Sequence, residues 1–215
     1  MEKEKEKDEK TGFNWEVSVG VTFASLMGAV ALFFTGAVIS QYKSFEGTMQ
    51  IPLLFLIIST FGYIFSASIY SNAGTEVTLG RIDNVKKYLI FANNIFEFIG
   101  LYLLIISTPL VIGALTDDVF LRISTIVISL TALALYSSSP FSVLHAESKK
   151  IIKKHLLTSL IVFISLLLYG AQFYKQSFNF IPYNYIAVGL LLTLFIISFV
   201  FCRKSTRYQL NLKGE

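Results

Sequence analysis

Apolar residues run along this chain in long blocks, broken by short polar stretches. A helix needs about 20 apolar residues to cross ~30 Å of hydrocarbon. Six blocks meet or approach that length: Val17–Ile39, Ile51–Tyr70, Tyr88–Ile112, Val119–Tyr136, Leu156–Tyr174 and Ile181–Cys202. Pro52 and Pro182 stand at the start of the second and sixth blocks, where a missing N–H costs a helix nothing. The pattern predicts an all-α bundle of six transmembrane helices over residues 17–202. A charged, disordered tail (1–16) precedes it and a basic tail (203–215) follows. No connection exceeds about 19 residues, so any chemistry must lie within the helices or on their rims.

Basic residues give the expected orientation. Lys3, Lys5, Lys7 and Lys10 precede the first span; Arg81, Lys86 and Lys87 follow the second. Lys149, Lys150, Lys153 and Lys154 follow the fourth, and Arg203, Lys204, Arg207 and Lys213 follow the sixth. The other connections hold only Lys43, Arg122 and Lys175. This 15-to-3 division places both termini in the cytoplasm, because Lys and Arg are retained there. Aromatic residues near the block ends, Trp15, Tyr42, Tyr70, Tyr88 and Tyr136 among them, suit an interfacial belt. The turn between spans five and six, with Phe173, Tyr174, Phe178, Phe180, Tyr183 and Tyr185, reads the same way.

Composition agrees. Hydrophobic residues make up 54% and charged residues 15%, against about 25% charged in a soluble domain, and the mean hydropathy is +0.64. The net charge of +4 follows from the rim lysines and does not point to nucleic acid. The first block, 23 residues long, is too long for a signal-peptide core and is expected to be a retained helix. The single cysteine, Cys202, excludes an intrachain disulfide and reads as a bystander thiol at the membrane edge. A plasma membrane is the simplest location.

One residue breaks the pattern. Glu97 is the only one of 14 acids outside a tail, loop or interface. It lies nine residues after Tyr88, about 13–14 Å into the third span and near the bilayer midplane. An ionised side chain there costs ~2.5–3.5 kcal/mol on insertion scales. A protonated carboxyl relieves that cost, as does contact with water or a bound cation. Asn93 and Asn94 precede it by four and three residues, so an α-helix would put all three on one face. Further out, Pro109 removes the N–H that would bond the carbonyl of Ile105. The functional reading is a proton or cation site formed by Glu97, Asn93 and Asn94. The structural reading is a protonated Glu97 bonded to a neighbour such as Ser59, Thr60, Ser66 or Ser129.

In the first span, Gly20, Ala24, Gly28 and Gly36 lie at multiples of four residues. This small-residue pattern lets helices approach closely, within one chain or between copies. Catalytic and cofactor motifs are missing. His145 and His155, the only histidines, sit on the rim rather than inside a span, where haem ligands would be needed. No zinc-protease, di-metal or phosphate-loop pattern occurs. The sequence therefore predicts no catalytic residues, no metal site and no cofactor. The leading expectation is a small transport-type membrane protein, not an enzyme, with the lipid bilayer as its surroundings. The competing one is a non-catalytic subunit, sensor or scaffold that holds a membrane-protein partner or a second copy of itself.

Overall fold

The computed structural model describes the backbone at residues 2–45, 48–139, 151–173 and 183–211, and side chains at 11–44, 48–139, 157–173 and 183–203. Every regular element among them is helical. We number the long helices α1 (Glu2–Gln41), α2 (Gln50–Thr78), α3 (Ile82–Leu115), α4 (Val119–Ser138), α5 (Ile151–Phe173) and α6 (Tyr183–Asn211). Five contain stretches long and apolar enough to cross a membrane; in α5 the apolar part is the shorter Leu157–Phe173. The chain is thus an all-helical integral membrane protein.

α1 is helical from Glu2, through the segment expected to be a disordered tail. Glu and Lys are strong helix formers, and neither Gly nor Pro occurs before Gly12. The side chains of the first four lysines lie outside the described residues. So do those of Lys149, Lys150, Lys153, Lys154, both histidines and residues 204–215, together with most of the aromatic turn at 174–182.

Local chemistry sets the turns. After α2, Gly80 takes φ 72°, a left-handed conformation that Gly adopts without steric cost. The Arg81 N–H donates to the Glu76 carbonyl and the Gly80 N–H to the Val77 carbonyl, the paired bonds of a Schellman cap. The Asp118 side chain accepts from the Leu121 N–H at 3.0 Å and starts α4.

α3 is the central helix. Its first half packs with α1 and α2 around Val17, Ala24, Ala31, Tyr63, Tyr70, Leu89 and Phe96. Its second half packs with α4, α5, α6 and the first turns of α2 around Phe55, Phe98, Tyr102, Ile106, Leu168 and Leu190. Between Ile95 and Leu101 the helix widens into a π-helical segment, closed by a bond from the Tyr102 N–H to the Glu97 carbonyl. The two cores therefore meet at the turn that carries Glu97.

The α1–α2 seam corrects the spacing expected from the small residues. Val17, Ala24, Gly28, Ala31, Thr35 and Val38 are buried. With half-buried Gly20 and Val21, these positions follow alternating steps of about three and four, as in a left-handed supercoil. A Cβ on Gly20 would meet the Tyr70 ring at 2.6 Å, and one on Gly28 the Tyr63 Cβ at 3.3 Å. Gly36 is exposed with nothing within 4 Å, so it lies off the seam. The four-residue stripe drifts around a 3.6-residue helix, and by Gly36 it has left the partner.

Candidate functional site

Glu97 is 1% exposed, buried inside the π segment. The Tyr102 hydroxyl donates to its Oε1 at 2.7 Å. The Tyr102 ring meets the Tyr136 ring edge-on, with centroids 6.1 Å apart, and Tyr136 lies within electrostatic reach of the carboxylate. The side chain therefore faces the α4–α6 core.

The four neighbours considered as bonding partners are engaged elsewhere. Ser59 donates to the Gly100 carbonyl at 2.7 Å and Ser66 to the Ala92 carbonyl at 2.9 Å. These bonds fasten α2 to α3 on either side of Glu97, one within the π segment and one before it. Thr60 donates to Leu56 within its own helix and meets Thr35 of α1 at 3.2 Å. Ser129 donates to the carbonyl of Ile105, the one that Pro109 leaves without its helical donor. Tyr169 meets Ser129 at 3.0 Å, and Gln172 donates to the Leu110 carbonyl at 2.8 Å. α3, α4 and α5 are thus tied together around Pro109.

The two asparagines serve different sides. Asn93 accepts a short bond from Tyr70 of α2. Asn94 is fully buried; its amide nitrogen donates to the Ile90 carbonyl at 2.8 Å, and its Oδ1 has no hydrogen-bond partner. An unpartnered buried acceptor costs about 1–3 kcal/mol. The expected three-residue stripe is therefore divided: Asn93 belongs to the α1–α2 side, while Glu97 faces the α4–α6 side. Sequence spacing could not reveal this, because a π segment changes the angular step per residue.

The depth of Glu97 also differs between the two sides. Next to α1 and α2 it lies mid-helix: Phe96 meets the Tyr63 ring at 5.1 Å, and Tyr63 lies against Gly28. Next to α4 it lies near the helix end, and next to α6 near the end of the apolar stretch Tyr183–Arg203. Tyr136 is two residues from the end of α4, and Phe98 stacks on Phe201 at 5.9 Å, two residues before Arg203. Counting along α3 alone places Glu97 near the midplane. Its α4–α6 neighbours place it close to the end of the bundle that holds the 79–81 turn. Towards the opposite end, Leu103, Ile106 and Leu110 are fully buried.

α2 and α3 touch backbone to backbone beside the site. A Cβ on Gly62 would lie 2.8 Å from the Gly100 N and 2.9 Å from the Ile99 carbonyl carbon. A Cβ on Gly100 would strike the Tyr63 ring at 2.8 Å. Among the described residues, no group of three His, Cys, Asp or Glu side chains could hold a metal. No protein-family model, curated protein or solved structure matches the chain.

Proposed function

We propose that this membrane protein is a small transporter or channel, linked to a proton or cation, with Glu97 as its coupling group. The observation that carries the reading is a carboxyl side chain, 1% exposed, inside a π-helical segment at the junction of two cores. Intramembrane acids are costly and mark ion or proton paths by default, and π segments recur at functional sites. The nearness of Glu97 to the end of α4 and to the end of the apolar stretch of α6 supports access from the end that carries the 79–81 turn. With both termini cytoplasmic and a plasma-membrane location, that is the cytoplasmic side. On this reading the protein is not an enzyme.

Flux through proteoliposomes tests it, with imposed pH and cation gradients and a broad solute panel. Glu97→Gln is expected to insert normally and lose gradient-dependent flux. Absence of such flux in the unmodified protein across the panel refutes the proposal. Access has its own test. With Cys202→Ser as background, Glu97→Cys is exposed to a small impermeant thiol reagent from each side. Labelling is expected only from the 79–81 end.

One observation favours a partner-holding subunit instead. α4 buries only Ser129, Leu133 and Ser137 and exposes Phe120, Ile128 and Leu135 outward. Stable co-purification of one partner from native membranes, lost on charging Ile128, would favour that reading.

A further inference from the structure

We propose that the species bound at Glu97 is a proton rather than a metal cation, held between the carboxyl and Asn94 Oδ1. This deepens the reading of Glu97 as the ligand-binding group and rests on it. The amide of Asn94 is oriented by its bond to the Ile90 carbonyl at 2.8 Å, which leaves Oδ1 as a buried acceptor awaiting a donor. Asn94 and Glu97 are one helical turn apart and both are essentially inaccessible. A carboxylate has no hydrogen to offer Oδ1; a carboxylic acid has one. Protonation thus cancels the buried charge and supplies the donor that Asn94 lacks. Tyr102 already donates to Oε1, and it can do so in either state.

A metal ion finds less here. Hard cations take about six or more oxygen ligands. The Gly100 and Ala92 carbonyls flanking the site already accept from Ser59 and Ser66, and Asn93 accepts from Tyr70. Glu97 brings the single negative charge. Of the described titratable groups on neighbouring helices, Tyr136 of α4 lies within electrostatic reach of the carboxylate; on α2, Tyr63 packs against Phe96 and Tyr70 bonds to Asn93 on the other side. Glu16 of α1 lies towards Tyr70. Tyr169 of α5 is engaged with Ser129. On α6 the nearest described charge is Arg203, beyond Phe201 and Cys202. No second carboxylate among the described neighbours is placed to balance a divalent ion.

Infrared spectroscopy of the full chain in lipid tests this without reference to transport. At neutral pH the expected spectrum contains a protonated-carboxyl C=O band. The band is lost in Glu97→Gln and moves to higher frequency in Asn94→Leu, which removes the acceptor. Asn94→Ala provides the same readout should the leucine variant fail to fold. Sodium, potassium or magnesium salts are expected to leave the band unchanged. No such band at neutral pH, its loss on adding one of these cations, or an unshifted band in both Asn94 variants overturns the proposal. Flux without the band refutes the proton but not the transporter. The band without flux refutes the transporter but not the proton.

Discussion

Replacing Gly62 with Ala tests the backbone contact between α2 and α3, and Gly36→Ala is its control. Both residues are glycines within apolar helices. At Gly62 the new methyl carbon would sit 2.8 Å from the Gly100 N and 2.9 Å from the Ile99 carbonyl carbon, against 3.4–4 Å for ordinary contact. Backbone cannot rotate away as a side chain can, so the two helices must separate by about 0.6 Å or more. Overpacking of this kind costs about 1–3 kcal/mol. The separation also stretches the 2.7 Å bond from Ser59 to the Gly100 carbonyl, and such interhelical bonds are worth about 0.6 kcal/mol in a membrane. The expected loss is about 2–3 kcal/mol, or roughly 30- to 150-fold in the folding equilibrium. At Gly36 the methyl meets nothing within 4 Å. There the change is expected to be neutral, or stabilising by up to about 1 kcal/mol through helix propensity. Unfolding by SDS in mixed micelles, followed by circular dichroism, measures both. No loss at Gly62 would refute the close approach of α2 and α3, and an equal loss at Gly36 would refute its place off the α1–α2 seam.

Glu97→Gln is expected to keep stability within about 1 kcal/mol of the parent, because an amide can donate to Asn94 as the protonated acid would. Glu97→Ala should lose about 2 kcal/mol or more by leaving a cavity and removing the carboxyl that accepts from Tyr102; the same SDS titration separates them. Ser129→Ala should cost about 0.6 kcal/mol, and the cost should shrink in a Pro109→Ala background, where the Ile105 carbonyl regains its helical donor; a double-mutant cycle measures the coupling. At the 116–118 turn, Arg122 donates to the Gly113 carbonyl at 2.8 Å and the Thr116 carbonyl at 2.6 Å, and pairs with Asp117 at 2.6 Å. Asp117 is almost fully exposed, so Asp117→Asn should change stability by less than about 1 kcal/mol. Arg122→Lys should cost more, since an ammonium lacks the planar fork that reaches both carbonyls.

The arrangement explains why a lone acid is tolerated in so apolar a chain. Glu97 occupies the turn where α3 changes partners, and the π segment lets that turn face the second core while Asn93 still bonds to the first. Ser59 and Ser66 secure carbonyls on either side of Glu97. Irregular backbone inside a bilayer persists only where such donors satisfy it. The same logic holds at Pro109, where Ser129 takes the place of the missing N–H.

Much of this was already determined by local order in the sequence. The length of the apolar runs required membrane-crossing helices, since nothing else satisfies the backbone in lipid. Glu97 stood out because it is the only acid within a span, Pro109 marked a carbonyl in need of a donor, and Gly80 marked a turn. What those residues meet was decided only in three dimensions. Tyr102, five residues further along the same helix, is the donor to Glu97, a spacing that an α-helical face does not favour and a π segment does. Asn93 and Asn94 went to different uses because one angular step at the junction of two cores separates Tyr70 from an empty acceptor site. Gly36 left the packing seam because the supercoil, not the four-residue repeat, sets which positions face α2. Depth, too, came from the neighbours: counting along α3 puts Glu97 in the middle, but α4 and the apolar stretch of α6 end beside it. A sequence records distance along one helix, whereas burial, partners and access depend on where the other helices stop.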